Sequence, residues 1–259
     1  MPIAQPIGPA QVNARADVRI LQRLLNGQPA GAGLVEDGLY GPATWNALTA
    51  TRPDRDADTP VTPDGADLER LIPGLPAGVS RVRVGCVLAE ASSDRIARFH
   101  PPLAAAMADA GIDTPLRRAH FLAQIAHESG ALRWLEEIAS GQAYEGRADL
   151  GNDQPGDGPR FKGRGLIQLT GRANYAEFGQ AIGRDLTSSP EAAAQVAEDP
   201  ELCVRAATWF WVERGLNARA DADDLEAVTR RINGGLNGLD DRAKYLARAK
   251  AVFPVSVSA

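Results

Sequence analysis

Apolar residues recur at helical spacing over most of this chain. Val18, Leu21, Leu24 and Leu25 form one stripe, with Asp17 placed as a cap and Asn26-Gly27 as a stop. Turn signals follow at Asp37-Gly38 and Gly41-Pro42, and Pro42 can open a helix that turns Trp45 and Leu48 inward. Residues 1–16, rich in Pro, Gly and Ala, read as a wrap over this first unit. Residues 51–67 are dominated by Pro, Asp and Thr and have almost no large apolar side chain, which is a linker composition. The pattern divides the chain into a small domain over 1–51, a linker over 52–67 and a larger domain over 68–259.

Beyond the linker the period is helical again. Leu68–Ile72 is a short piece stopped by Pro73-Gly74, and Val79–Leu88 reads either as a strand or as an irregular lead-in to a helix. In Ser92–Gly111 the Pro101-Pro102 pair predicts a break. Asp113-Thr114-Pro115 predicts a helix start and Gly130 its stop. After Ala131–Ile138 the period is lost. Gly141–Arg164 carries six glycines and two prolines, and a loop of that length is expected to be functional. Helix resumes near Gly171. A buried helix is expected over Glu201–Arg214 (Leu202, Ala206, Trp209, Phe210, Val212), a stripe at Leu225, Val228 and Ile232, and a last helix from Asp240 to Val252. No βαβ pattern is visible, so the fold class is mainly α.

Composition narrows the function. A net charge of -5 argues against a nucleic-acid binder driven by bulk charge. No apolar run approaches the ~20 residues that span a membrane, and the start M-P-I-A-Q-P-I-G-P is not a signal peptide. Cys86 and Cys203 make neither a disulfide framework nor a zinc site and read as buried thiols. The H-E-x-x-H zinc motif fails, because the position after Gly130 is Ala131, so neither metal nor cofactor is expected.

The chemistry centres on F-L-A-Q-I-A-H-E-S-G. Phe121, Ile125 and Glu128 share one helix stripe, so Glu128 is expected beside apolar side chains. Desolvation raises a carboxylate pKa, which suits a general acid. A second carboxylate is needed for glycoside hydrolysis, and Glu136, Glu137 and Glu145 are all candidates. On one continuous helix Glu137 would stand about 13 Å along the axis on the opposite face, so the chain must bend after Gly130. Thr170 and Asn174, four residues apart, can share a face to hold water.

Two resemblances add to this. D-V-R-I-L-Q-R-L-L-N followed by D-G-L-Y-G-P-A-T, over roughly residues 10–50, resembles the peptidoglycan-binding domain found beside many cell-wall hydrolases. A-H-F-L-A-Q-I-A-H-E-S-G, Y-E-G-R-A-D-L-G-N, F-K-G-R-G-L-I-Q-L-T-G-R-A-N-Y and R-I-N-G-G-L-N-G, in that order over roughly 90–252, resemble glycoside hydrolase family 19. That resemblance implies a two-lobed, lysozyme-like helical fold and an inverting reaction without metal. It implies Glu128 as general acid, Glu137 as second acid with Glu136 and Glu145 still open, and Thr170 as holder of the attacking water. Gln168, Asn174 and Asn233 would line the sugar cleft. Lys162, Arg164 and Arg242 would touch substrate or tune the second carboxylate, and His127 would orient neighbours. Together the two imply a monomeric, endolysin-like glycosidase acting on peptidoglycan glycan strands. It would be made in the cytoplasm and released through a holin or a secretion apparatus. A chitinase and a non-catalytic wall-binding protein are the alternatives.

Overall fold

The computed structural model describes residues 1–53, 55–56 and 59–254. Positions 54, 57 and 58 of the expected linker and 255–259 of the expected second domain lie outside them. The helices are α1 (Arg15–Asn26), α2 (Pro42–Thr51), α3 (Ala66–Leu71), α4 (Arg81–Val87), α5 (Ser93–Asp109), α6 (Pro115–Glu128) and α7 (Asp157–Arg160). They continue with α8 (Arg172–Ile182), α9 (Pro190–Glu198), α10 (Pro200–Glu213), α11 (Leu216–Asp221), α12 (Leu225–Asn233) and α13 (Leu239–Val252). Among the described residues β-pairing is confined to isolated antiparallel bridges: Ile7 with Val61, Glu136 with Arg164, and Arg164 with Leu169.

Two apolar cores organise these helices. The first gathers α1, α4, α5, α6 and α13, with Phe121 set edge-on to Trp211 at 5.3 Å between ring centroids. The second is smaller and holds Phe161, Leu169, Tyr175, Phe178, Val196 and Leu202. Helix α10 belongs to both: Cys203, Val204, Ala207 and Trp211 face the first core, Leu202 and Ala206 the second. The fold is therefore mainly α and two-lobed, as expected.

The N-terminal stretch is tied down by polar side chains. Asp17 does not cap α1, whose N-cap is Ala14; buried, it accepts hydrogen bonds from the N–H groups of Ala4 (3.0 Å) and Gln5 (2.9 Å). Arg23, 2 % exposed, pairs with Glu36 at 2.8 Å and donates to the carbonyls of Gly85, Leu88 and Ala91 around α4. In the stretch expected as linker, Val61 exchanges backbone hydrogen bonds with Ile7 (2.9 and 2.7 Å), and Asp67 pairs with Arg52 and Arg55.

One open reading is decided and two local expectations change. Residues 81–87 are helical, the second of the two alternatives: Ser80 caps α4 by accepting from the Arg83 N–H. The alternation misled because Arg83 is itself buried, donating to the carbonyls of Pro76 and Val252. Helix α5 runs through Pro101 and Pro102 without a break. An interior proline costs about 3 kcal/mol, but α5 buries Ile96, Phe99, Leu103 and Met107, each worth up to roughly 1.5–3 kcal/mol. On α10, Val212 is exposed and Trp211 takes the inward position. Both cysteines are buried and free, and burial pushes each thiol up to about 12. Among the described residues no helix is long and apolar enough to cross a membrane.

Candidate active site

Helix α6 begins as its sequence dictates. Thr114 Oγ1 accepts from the Arg117 N–H at 3.2 Å and Pro115 fills the first turn. Phe121, Leu122 and Ile125 are fully buried, and Glu128 closes the helix with its side chain 16 % exposed. Its nearest partner is the buried guanidinium of Arg242 on α13, at 2.5 Å. The same guanidinium donates to buried Gln124, one turn back on α6. Arg242 was expected to touch substrate or to tune the second carboxylate; it sits on the first carboxylate instead of the second.

The chain reverses directly after Glu128. Gly130, Ala131 and Leu132 all take positive φ (55°, 53° and 67°), a conformation that only glycine adopts freely. Buried Ser129 holds this turn. Its Oγ donates to the Ile125 carbonyl at 2.6 Å and accepts from the Leu132 N–H at 2.8 Å. Its carbonyl accepts from the N–H groups of Arg133 (2.8 Å) and Trp134 (2.7 Å). A Cβ at Gly130 would come within 2.7 Å of the Trp134 ring. The expected bend after Gly130 is therefore real and tight.

The bend delivers residues 134–139 to the edge of the second lobe. The Glu137 N–H donates to the Gly163 carbonyl (2.9 Å), and the Gly165 N–H donates to that of Leu135 (2.8 Å). Glu137 is half-buried. Its carboxylate accepts from the Tyr144 hydroxyl (3.1 Å) and the Gly163 N–H (3.2 Å). Burial and the neighbouring Glu137 hold the Tyr144 hydroxyl above its ordinary pKa, so it stays a donor.

The other two candidate carboxylates have structural partners. Glu136 pairs with Lys162 (3.2 Å) and Arg164 (3.0 Å). Glu145 accepts from the N–H groups of Gly156 (2.7 Å) and Gly158 (2.8 Å), and so closes the glycine-rich loop. Lys162 also donates to the main-chain carbonyls of Glu137 (3.1 Å) and Ala139 (3.4 Å). Arg164 donates to the hydroxyl of Tyr175, which burial pushes up to about 12.

Gln168 stands in the left-handed region (φ 56°), and its amide donates to the Trp134 carbonyl at 3.3 Å. A Cβ on Gly163 would lie 2.8 Å from Gln168 Oε1 and 3.3 Å from the Glu137 carboxylate, so Gln168 and Glu137 converge there. Thr170 Oγ1 donates to the Gln168 carbonyl (2.9 Å) and Asn174 donates to the Thr170 carbonyl (2.7 Å). Asn233 holds the turn into α13: its amide donates to the Asn237 carbonyl (3.1 Å) and its oxygen accepts from the Gly235 N–H (3.0 Å). His127 Nδ1 lies 2.8 Å from Asp241, and its ring presses on Gly238, where a Cβ would fall 2.2 Å from the ring.

Sequence reasoning missed Ser129, Gln124, Tyr144 and Asp241. Ser129 stood inside the quoted H-E-S-G block, and its serine between a helix end and a glycine was the one available signal. The others are paired across the fold and carry no local mark. Among the described residues no group of three or more potential metal ligands is clustered.

The arrangement defines a class: a two-lobed helical hydrolase with carboxylates presented on both sides of a tight turn. Residues 104–229 match the family described as chitinase class I, glycoside hydrolase family 19. A Haemophilus influenzae protein described as a glycosyl hydrolase family 19 domain-containing protein is 36% identical, over 55% of this chain and 82% of that protein. An endochitinase of Arabidopsis thaliana is 39% identical over 45% of this chain, but only 38% of its own length is covered. Chitinase C from Streptomyces griseus shares the fold with a TM-score of 0.55 at 21% identity, covering 77% of this chain and 81% of that one. The chain belongs to glycoside hydrolase family 19 and is a glycoside hydrolase.

Proposed function

We propose that this protein hydrolyses the β-1,4 glycosidic bonds of bacterial peptidoglycan by an inverting acid–base mechanism. Glu128 gives its proton to the leaving oxygen as the bond to the anomeric carbon breaks. Water attacks that carbon from the other face and passes its proton to Glu137. Thr170 Oγ1, whose own proton is committed to Gln168, accepts a hydrogen bond from that water. Tyr144 and Gly163 fix the Glu137 carboxylate, and Arg242 fixes that of Glu128. Gln168 and Asn174 line the glycan site. Lys162, His127 and Asn233 act through the segments they hold.

The observation that carries this reading is the run of contacts from the turn after Glu128 to Glu137: Gly130 against Trp134, Trp134 to Gln168, and Gln168 beside the Gly163 that binds Glu137. The wall as target is supported by the likeness of residues 10–50 to peptidoglycan-binding domains, with residues 1–51 as a binding unit. Chitin is the second reading, favoured by the plant relatives, which are described as endochitinases. Mass spectrometry of digests of purified sacculi and of chitin oligomers separates the two. Muropeptides with newly exposed glycan ends are expected, and sacculi left intact while chitin is cut refute the wall reading. Glu128→Gln should abolish cleavage; full activity in that variant would remove Glu128 from the mechanism.

A further inference from the structure

A groove of about 760 Å³ runs along the surface between α5 and the start of α10. It continues into a recess of about 250 Å³ that reaches the end of α8, the two parts sharing Ala106, Asp109 and Arg205. No candidate active-site residue lines either part. Along α5 it follows the helix from Arg98 to Asp109, about 16 Å of axis, with room for a short run of sugar rings.

Helix α5 gives up hydrogen bonds here. Pro101 and Pro102 both line the groove, and neither has an N–H for the carbonyl four residues back. The Ala97 and Arg98 carbonyls therefore lose their helical donors, and no side chain replaces them among the described residues. For Arg98 the residue three ahead is Pro101, so a tighter turn cannot supply the bond either. Local cost of this kind is expected at functional sites.

The charges suit a ligand that donates hydrogen bonds. Both cations in the wall are committed: Arg98 donates to the Glu198 carbonyl (3.0 Å) and Arg205 pairs with Glu201 (3.6 Å). Asp199 accepts from the Glu201 N–H (2.9 Å) and lies 3.8 Å from Arg184. Asp109 and Glu213 have no partner among the described residues. An anion finds no free cation in this wall, whereas a hydroxyl or an amide N–H finds open carboxylates and the Arg98 carbonyl. Between these acceptors the wall carries the rings of Pro101, Pro102 and Pro200, then Trp209, half-buried beside Phe178. Apolar rings with a rim of acceptors match a pyranose, which has C–H faces and a rim of hydroxyls.

We propose that this groove is a second binding site for a β-1,4-linked N-acetylhexosamine strand, holding the polymer while another stretch of it lies in the candidate active site. A strand that reaches both sites gains in effective concentration, and a short fragment does not. The proposal rests on the β-1,4 glycosidase reading given above.

The binding test uses the full chain carrying Glu128→Gln, so that nothing is digested, with purified sacculi and with chitin beads. Asp109→Ala removes an open carboxylate. Ala105→Arg, at an exposed position of α5 that lines the groove, fills it and stands four residues from Asp109, close enough to pair with it. Pro102→Ala removes one ring and returns an N–H to the Arg98 carbonyl. Each should weaken polymer binding about three- to tenfold, the scale of one lost hydrogen bond. Pro102→Ala should also raise the thermal midpoint; a role in folding alone would not weaken binding while the fold is strengthened. Without Glu128→Gln, the three should leave cleavage of soluble tetrasaccharide fragments unchanged. Chitotetraose should shift the Trp209 indole N–H resonance, assigned by its loss in Trp209→Phe, and Ala105→Arg should suppress that shift. Polymer binding untouched by all three variants, or a Trp209 resonance that chitotetraose leaves in place, overturns the proposal. A variant effect that disappears at high salt marks an ion-paired, cationic ligand and overturns it too. An effect on sacculi alone or on chitin alone supports the groove and names its polymer. Sacculi cut by the parent protein with no variant effect overturn the groove alone. Variant effects with uncut sacculi overturn the wall-hydrolase reading and leave the groove standing.

Discussion

Arg242 is the residue on which the candidate site turns. One buried guanidinium grips Gln124 and Glu128 on successive turns of α6. Breaking a fully buried pair costs about 3–5 kcal/mol. Glu128 keeps some contact with water, so Arg242→Met should cost less, about 2–3 kcal/mol in urea denaturation, and lower kcat at least tenfold. Arg242→Lys should recover stability better than activity, because a lysine cannot span both partners. Ser129→Ala leaves a buried Leu132 N–H without its acceptor, worth about 1–3 kcal/mol. Wild-type denaturation midpoints in both variants would refute these assignments. Glu128 was legible in the sequence because helix period and a family block both marked it. Arg242 was visible only as a basic residue, since no local pattern pairs positions 114 apart. Ala131 and Leu132 in left-handed conformation contradict their own propensities, so the geometry of the turn could not be read from their identities.

Helices α6 and α13 are joined a second time, through a group that responds to pH. His120 on α6 is fully buried; its Nε2 faces Asp223 at 2.8 Å and its Nδ1 has no hydrogen-bond partner among the described residues. Asp223 in turn binds Lys250 on α13 at 2.5 Å. Burial lowers the His120 pKa from 6.5, outweighing the opposing pull of Asp223. The unfolded chain therefore takes up a proton here before the folded one does. The stabilisation is present above about pH 6.5 and is lost as pH falls from there through the depressed folded value. Thermal midpoints should decline across that window, and His120→Gln should flatten the decline; an equally steep decline in the variant would exclude His120. At this scale the sequence was most informative where capping chemistry is local, as at Thr114-Pro115. It failed at α5, where tertiary burial overrides two prolines, and left strand and helix both open at α4, where a buried arginine interrupts the apolar stripe.

At the scale of the molecule, the first fifty residues and the hydrolase lobe share one core. Composition alone suggested a free linker, because Pro, Asp and Thr over 51–67 give no sign that Val61 returns to Ile7 or that Arg23 reaches across to α4. Removing residues 1–52 would leave the carbonyls of Gly85, Leu88 and Ala91 without their buried donor and uncover Val84 and Cys86. The intact chain should melt in one calorimetric transition, and the truncated chain should unfold at markedly lower temperature. Two independent transitions would show that the units fold separately. The Arg23 clasp also has a geometric consequence. A catalytic unit on a slack tether can sweep every bond within the tether's length of its mooring. A unit clasped at Arg23 stands at one fixed offset, so a molecule moored through its first fifty residues reaches only a narrow ring of bonds. Its turnover on an insoluble polymer would then be paced by how often the mooring lets go.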